Sequence, residues 1–160
     1  MLIRFLTLCL LTFPLLNAGP ALAGAILTVV NSSVSSDEAK EFSRDELTEM
    51  TQVSYRTTTE WTDGAPEFTG PLARDVIEAV GVGEATIAVM TAANDYAIEI
   101  PIEELMRYDV ILAMSVDGKR LSLRDKGPIW VMYPRDQHAE LQDPVYNGRL
   151  IWQMVRIELK

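Results

Sequence analysis

Arg56, Thr57, Thr59 and Trp61, then Asn94, Asp95 and Tyr96, then Lys119, Arg124, Lys126, Tyr133 and Arg135 place guanidinium, hydroxyl, amide and ring groups beside predicted strand ends. Such a set suits a phosphate-bearing, ring-containing ligand, because guanidinium pairs bidentately with phosphate and flat heterocycles stack on aromatic rings. Each member also has a plainer role. Trp61, Trp130 and Trp152 suit core or rim packing, and Arg124-Asp125-Lys126 suits a solvated turn. Other chemistries find less support. His138 is the single histidine, with only Asp136 and Glu140 near it, which is a surface-loop pattern rather than a metal-ligand set. No G-x-S-x-G elbow occurs, and Gly81-Val-Gly83 lacks the third glycine of a dinucleotide loop.

The one cysteine, Cys9, falls in a leader. Met1 to Arg4 carries a single positive charge, Phe5 to Leu16 is apolar, and Ala21-Leu22-Ala23 offers the small residues that a signal peptidase reads. Met1–Ala23 is therefore expected to be a cleaved secretory signal that delivers residues 24–160 to the periplasm as one domain, with no membrane insertion afterwards. Cleavage leaves 137 of the 160 residues and no cysteine, so disulfides, thiolate nucleophiles and cysteine metal sites are all excluded from the mature chain. Loss of Arg4 lowers the basic count from 14 to 13 against 23 acidic residues, a net charge of −10, which argues against nucleic acid as a partner.

The elements that must position these groups alternate between short strands and short helices. Ala25 to Val30 reads as a first strand ending in the turn-forming Asn31–Asp37 cluster. Ser43-Arg-Asp-Glu46 has capping-box spacing, with Phe42 as the staple of a helix reaching about Met50. Gln52 to Thr59 is β-prone, and Pro71 is suited to the first turn of a helix that carries Val76, Ile77 and Val80 inward and stops at Gly81. Ala85 to Ala92 and Tyr96 to Ile100 read as strands, and Pro101 opens another helical turn. Val110 to Val116 is a buried strand leading into Asp117-Gly118, a type I′ hairpin signal, after which Leu121 and Leu123 alternate as a half-buried edge and Ile129 to Tyr133 returns as a second buried strand. Arg135 to Gly148 reads as a long surface loop, and Leu150 to Leu159 as a closing strand. The fold class expected is α+β, a mixed sheet core with short interleaved helices.

The order of these pieces resembles the molybdopterin-binding domain of the sulfite oxidase family. Phe68-x-Gly70-Pro-Leu72 ahead of a helix is similar to that family's F-x-G-x-x-L segment. Asp95-Tyr96 before Ile100-Pro101, Asp109-Val-Ile-Leu-Ala113, Val116-Asp-Gly118-Lys-x-Leu121, Gly127-Pro128 through Pro134, and Trp152 through Ile157 follow in the family's order. The likeness spans about Gln52 to Lys160. It implies molybdopterin as the cofactor and, in the family's enzymes, a cysteine thiolate that ligates molybdenum. Setting Trp61 on the tryptophan that follows this cysteine by four residues puts Thr57 in the thiolate's place, and a threonine hydroxyl is a poor substitute because its pKa is far too high to yield an alkoxide readily.

The expectation is a periplasmic domain with this fold that does not perform molybdenum chemistry and instead binds a small ligand, anionic or pterin-like, or a periplasmic or membrane protein partner. The cleft would be lined by Arg56, Thr57, Thr59, Trp61, Asn94 and Tyr96. Two alternatives stand beside it. One is a molybdopterin-dependent oxidoreductase that holds the metal through the pterin dithiolene alone; the other is an interaction module for a membrane signalling or redox partner.

Overall fold

A computed structural model describes residues 24–34 and 39–160. The expected signal Met1–Ala23, and Ser35 to Asp37 of the first turn, lie outside the described residues. Strand β1 (Ala25–Asn31) pairs antiparallel with β2 (Ala39–Ser43), which hands directly into helix α1 (Arg44–Glu49). The capping box forms as expected. The Ser43 amide donates to Glu46 Oε2 at 2.7 Å, the Glu46 amide donates to Ser43 Oγ at 3.2 Å, and Phe42 is buried beneath the helix entry; such a cap contributes about 1 kcal/mol.

Then follow β3 (Gln52–Arg56), β4 (Glu67–Pro71), α2 (Ala73–Glu78), the hairpin of β5 (Ile87–Ala92) and β6 (Ala97–Pro101), and α3 (Ile102–Arg107). Pro71 does not open α2. It ends β4 opposite Gln52, where its missing N–H is tolerated, and Leu72 caps the helix instead. The chain finishes with β7 (Ile111–Ala113), β8 (Ser115–Val116), β9 (Lys119–Arg120), β10 (Trp130–Met132) and β11 (Met154–Leu159). One sheet has the order β2-β1-β11-β5-β6, with β1 and β11 parallel; a second has the order β3-β4-β8-β9, and β7 pairs with β10 between them.

The Val110–Val116 run is not one strand. It breaks at Met114 because β4 lies along its whole length and gives it two partners in turn. The Ala73 amide donates to Val110 O at 2.8 Å and the Met114 amide donates to Thr69 O at 2.9 Å, so β7 faces β10 while β8 turns back onto β9. The hairpin itself has the expected geometry, with φ of +47° at Asp117 and +72° at Gly118. Beyond it only Leu121 is buried; Leu123 is 61% exposed, because Ser122 Oγ donates to Asp125 Oδ2 and folds Leu123–Asp125 into a 3-10 turn instead of an edge strand.

Arg135 to Gly148 is likewise more than a surface loop. It forms three successive 3-10 segments, Arg135–Gln137, Ala139–Gln142 and Pro144–Arg149, the last capped by Asp143, and it buries Arg135 and Leu141. A single apolar core joins Phe68, Ile77, Met90, Ile100, Leu112 and Ile129. Among the described residues no helix is long and apolar enough to cross a membrane.

Gly70 is where β4 and β7 press backbone against backbone. A Cβ there would collide with the Leu112 carbonyl and the Ala113 Cα, neither of which is a flexible side-chain end. Gly70→Ala is expected to lower the unfolding free energy by about 2 kcal/mol or more, as measured by urea denaturation. A variant within about 0.5 kcal/mol of the parent, the usual range for harmless surface changes, would show that the two strands can move apart freely.

Candidate functional site

Beyond Arg56 the chain leaves its sheet and runs under the start of the Arg135–Arg149 segment. Thr57 is fully buried there. Its amide donates to Pro66 O at 3.4 Å, and its hydroxyl oxygen accepts the Asp136 amide at 3.2 Å. The Asp136 carboxylate closes the same junction from outside, accepting the Thr58 amide at 2.9 Å and the Thr58 hydroxyl at 2.7 Å. Thr57 thus faces structure, not an opening.

The other expected residues separate. Arg56 stays on the surface, donating to Ala65 O at 3.3 Å, and Thr59 folds its own turn, with its Oγ1 accepting the Trp61 amide at 3.1 Å and lying 3.0 Å from Thr62 Oγ1. Neither joins the cavity that the other three residues line. Trp61, Asn94 and Tyr96 do meet, around a cavity of about 320 Å³. Asn94 and Tyr96 arrive on the β5–β6 turn, where Asp95 adopts φ of +65° and Asn94 Oδ1 accepts the Tyr96 amide at 3.2 Å.

The remaining wall was not anticipated as part of a site. Trp152 stands edge-on to Trp61, with ring centroids 5.5 Å apart, over a floor of Leu150 and Ile151. Asn147 supplies the polar group. Its Nδ2 donates to Glu60 Oε1 at 2.5 Å, and because a carboxylate only accepts, this fixes which end of the amide is which. Its Oδ1 is then left buried with no hydrogen-bond partner, a cost of about 1–3 kcal/mol for an isolated structure. The local signal for this residue, Asn147-Gly148, reads as an ordinary turn.

An ionic and aromatic clamp fixes the segment that carries Asn147. Arg149 forms an ion pair with Glu104 of α3, both side chains largely buried, and Glu104 Oε2 also accepts the Tyr133 hydroxyl at 3.3 Å. The Arg149 guanidinium lies 4.8 Å from the Tyr146 ring centre. Burial first, and then the negative charge of Glu104, push the Tyr133 hydroxyl well above the ordinary tyrosine range, so it remains a neutral donor. Buried Arg135 also serves structure: its Nε donates to Leu141 O at 3.0 Å. His138 packs edge-on against Tyr108, and no cluster of metal-ligating side chains occurs among the described residues.

Mixed strands, short helices and a cleft between the β3 exit and the loops before β11 define a small α+β domain of the molybdopterin-binding class. The family model for the oxidoreductase molybdopterin binding domain matches residues 30–137, and the chain belongs to that family. Among solved structures it is similar to the sulfane dehydrogenase SoxCD from Paracoccus pantotrophus, with a TM-score of 0.59 and 16% identity, over 83% of this chain and 37% of that one. The fold is shared, while the chain spans little more than a third of the length of that protein. No curated protein matches the chain.

The metal half of the family's cofactor does not fit the residues present. The hydroxyl at position 57 is buried and already accepts the Asp136 amide, and there is no cysteine among the described residues. Thr57→Cys tests this directly. The new thiol is expected to resist a thiol reagent in the folded protein and to react fully once urea is added, after subtraction of Cys9 in the parent chain. Rapid labelling of the folded variant would show that the position is open to a metal.

Proposed function

We propose that this is a periplasmic binding domain in which the family's cofactor cleft holds a small, flat ring ligand of pterin type, without ligation of molybdenum by the protein. The observation that carries this reading is the convergence of Trp61, Tyr96 and Trp152 on one cavity of about 320 Å³. Such a cavity, mostly apolar with a few polar groups at its edge, has the usual anatomy of a small-molecule site. Trp61, Trp152 and Tyr96 would contact the ring faces and edge. No arginine or lysine lines this cavity among the described residues, so selectivity here rests on the ring and not on an attached phosphate.

No oxidation step is assigned to the domain, since molybdenum bound in the family's manner requires a deprotonated protein ligand that position 57 does not offer. Periplasmic residence rests on the leader-like Met1–Ala23.

Neopterin titrated into the purified protein is expected to quench tryptophan fluorescence saturably. Trp152→Ala and Tyr96→Ala should each weaken that binding by about 1–3 kcal/mol, the scale of one ring stacked on one aromatic side chain. Unsaturable quenching, or equal affinity in both variants, would remove the ring-binding reading. Stoichiometric molybdenum in protein isolated from its native host would overturn the absence of metal ligation.

A further inference from the structure

A larger groove, of about 750 Å³, shares no lining residue with the aromatic cavity. It opens where β1 and β11 part. Their parallel register begins only at Thr28 opposite Arg156, and β11 carries an irregularity between Met154 and Arg156, so Ile26 and Val155 flank a gap instead of pairing. The segment after the β8–β9 hairpin forms the opposite wall.

Three arginines, Arg44, Arg120 and Arg156, line this groove, and among the described residues no aspartate or glutamate does. That is a marked local reversal in a chain with 23 acidic residues against 14 basic ones. None of the three forms an ion pair among the described residues. Arg44 uses one terminal nitrogen on the carbonyls of Leu121 and Pro128, at 3.4 and 3.3 Å, and its Nε is buried with no partner. Burial first, and then the positive charge of Arg120, lower the pKa of Arg44, with Asp45 opposing. Like charges held together without an ion-pair partner raise the energy of the empty state, and guanidinium forks match carboxylate and phosphate oxygens. Between the arginines the surface is apolar, formed by Ile26, Leu121, Pro128 and Val155, with Leu123 lying 61% exposed at the rim.

We propose that this groove binds a soluble amphiphilic anion, its phosphate or carboxylate head held by Arg44, Arg120 and Arg156 and its apolar portion laid over Leu123 and Val155. The site is separate from the ring-binding cavity and independent of whether that cavity is occupied. Monomeric dodecyl phosphate and laurate, each below its micelle concentration, distinguish the two head groups in calorimetric titration of the purified protein. Saturable binding of at least one is expected, with dodecyltrimethylammonium silent. The Arg120→Gln/Arg156→Gln double variant should lose about tenfold or more in affinity, with a thermal midpoint near that of the parent. If the double variant does not fold, the single Arg120→Gln at an exposed position carries the same comparison. Equal affinity in parent and variant, or no saturable binding of either anion, would overturn the proposal. Capture on phosphatidylglycerol vesicles without binding of the monomeric anions would also overturn it, in favour of a membrane surface.

Discussion

The close approach of β4 to the Val110–Val116 run at Gly70 sets the geometry on which the rest of the fold depends. With no side chain at that point, the carbonyl of Thr69 reaches the Met114 amide and the Ala73 amide reaches Val110 O, so one strand fixes the offset of two others. β7, placed in this way, pairs with β10 in the register Ala113 to Trp130. β10 in turn reaches the lead-in to β11, with the Val131 amide donating to Ile151 O at 2.9 Å and the Met154 amide donating to Ile129 O at 3.0 Å. A continuous ladder of backbone hydrogen bonds therefore runs from Gly70 to Trp152. The cavity wall is positioned by main-chain geometry, not by side-chain packing alone.

Side chains repeat the same path. Phe68 stands edge-on to Trp130 at 5.3 Å, Trp130 to Trp152 at 6.4 Å, and Trp152 to Trp61 at 5.5 Å, so a chain of rings leads from the centre of the core to the surface. Trp130 also donates its indole N–H to Leu150 O at 3.0 Å, which prevents the floor of the cavity from sliding along the rings. Edge-on contacts between rings are worth about 0.5–1.5 kcal/mol each beyond burial. The result is a pre-formed aromatic cleft whose polar rim is adjusted separately, by the β5–β6 turn on one side and by the Arg149 to Glu104 ion pair on the other.

Features of the sequence that depend on near neighbours were legible. The Ser43 to Glu46 capping box and the Asp117-Gly118 turn each satisfy their hydrogen bonds within a few residues, and both form as their spacing implies. The order of motifs from Phe68 to Trp152 carried the family and the α+β class. What stayed hidden depends on distant partners. The break at Met114 requires β4; the burial of Arg135 requires Leu141; and the orphaned acceptor of Asn147 exists only because Glu60, 87 positions away, takes its amide nitrogen. The three arginines of the groove are spread from position 44 to position 156, and Arg120 on its own looks like the polar side of an edge strand. Of the six residues first grouped as a cleft, Trp61, Asn94 and Tyr96 share a cavity, whereas Arg56, Thr57 and Thr59 take local partners that spacing does not reveal.

The surroundings of Thr57 suit a hydroxyl and not a thiolate ligand. A metal-bound thiolate needs its sulfur free and facing a space, whereas a threonine hydroxyl at the same depth needs hydrogen bonds, because an unsatisfied buried hydroxyl is costly. Here the Asp136 amide supplies one bond to that hydroxyl, and the Asp136 carboxylate then locks the neighbouring Thr58. Reopening the position would expose the Asp136 amide and the Thr57 hydroxyl together, so the closed junction is self-consistent and not merely vacant chemistry. The aromatic cavity does not include Thr57 and shares no lining residue with the groove where β1 and β11 part, so the clustered rings and the three grouped arginines stand in separate walls of the domain.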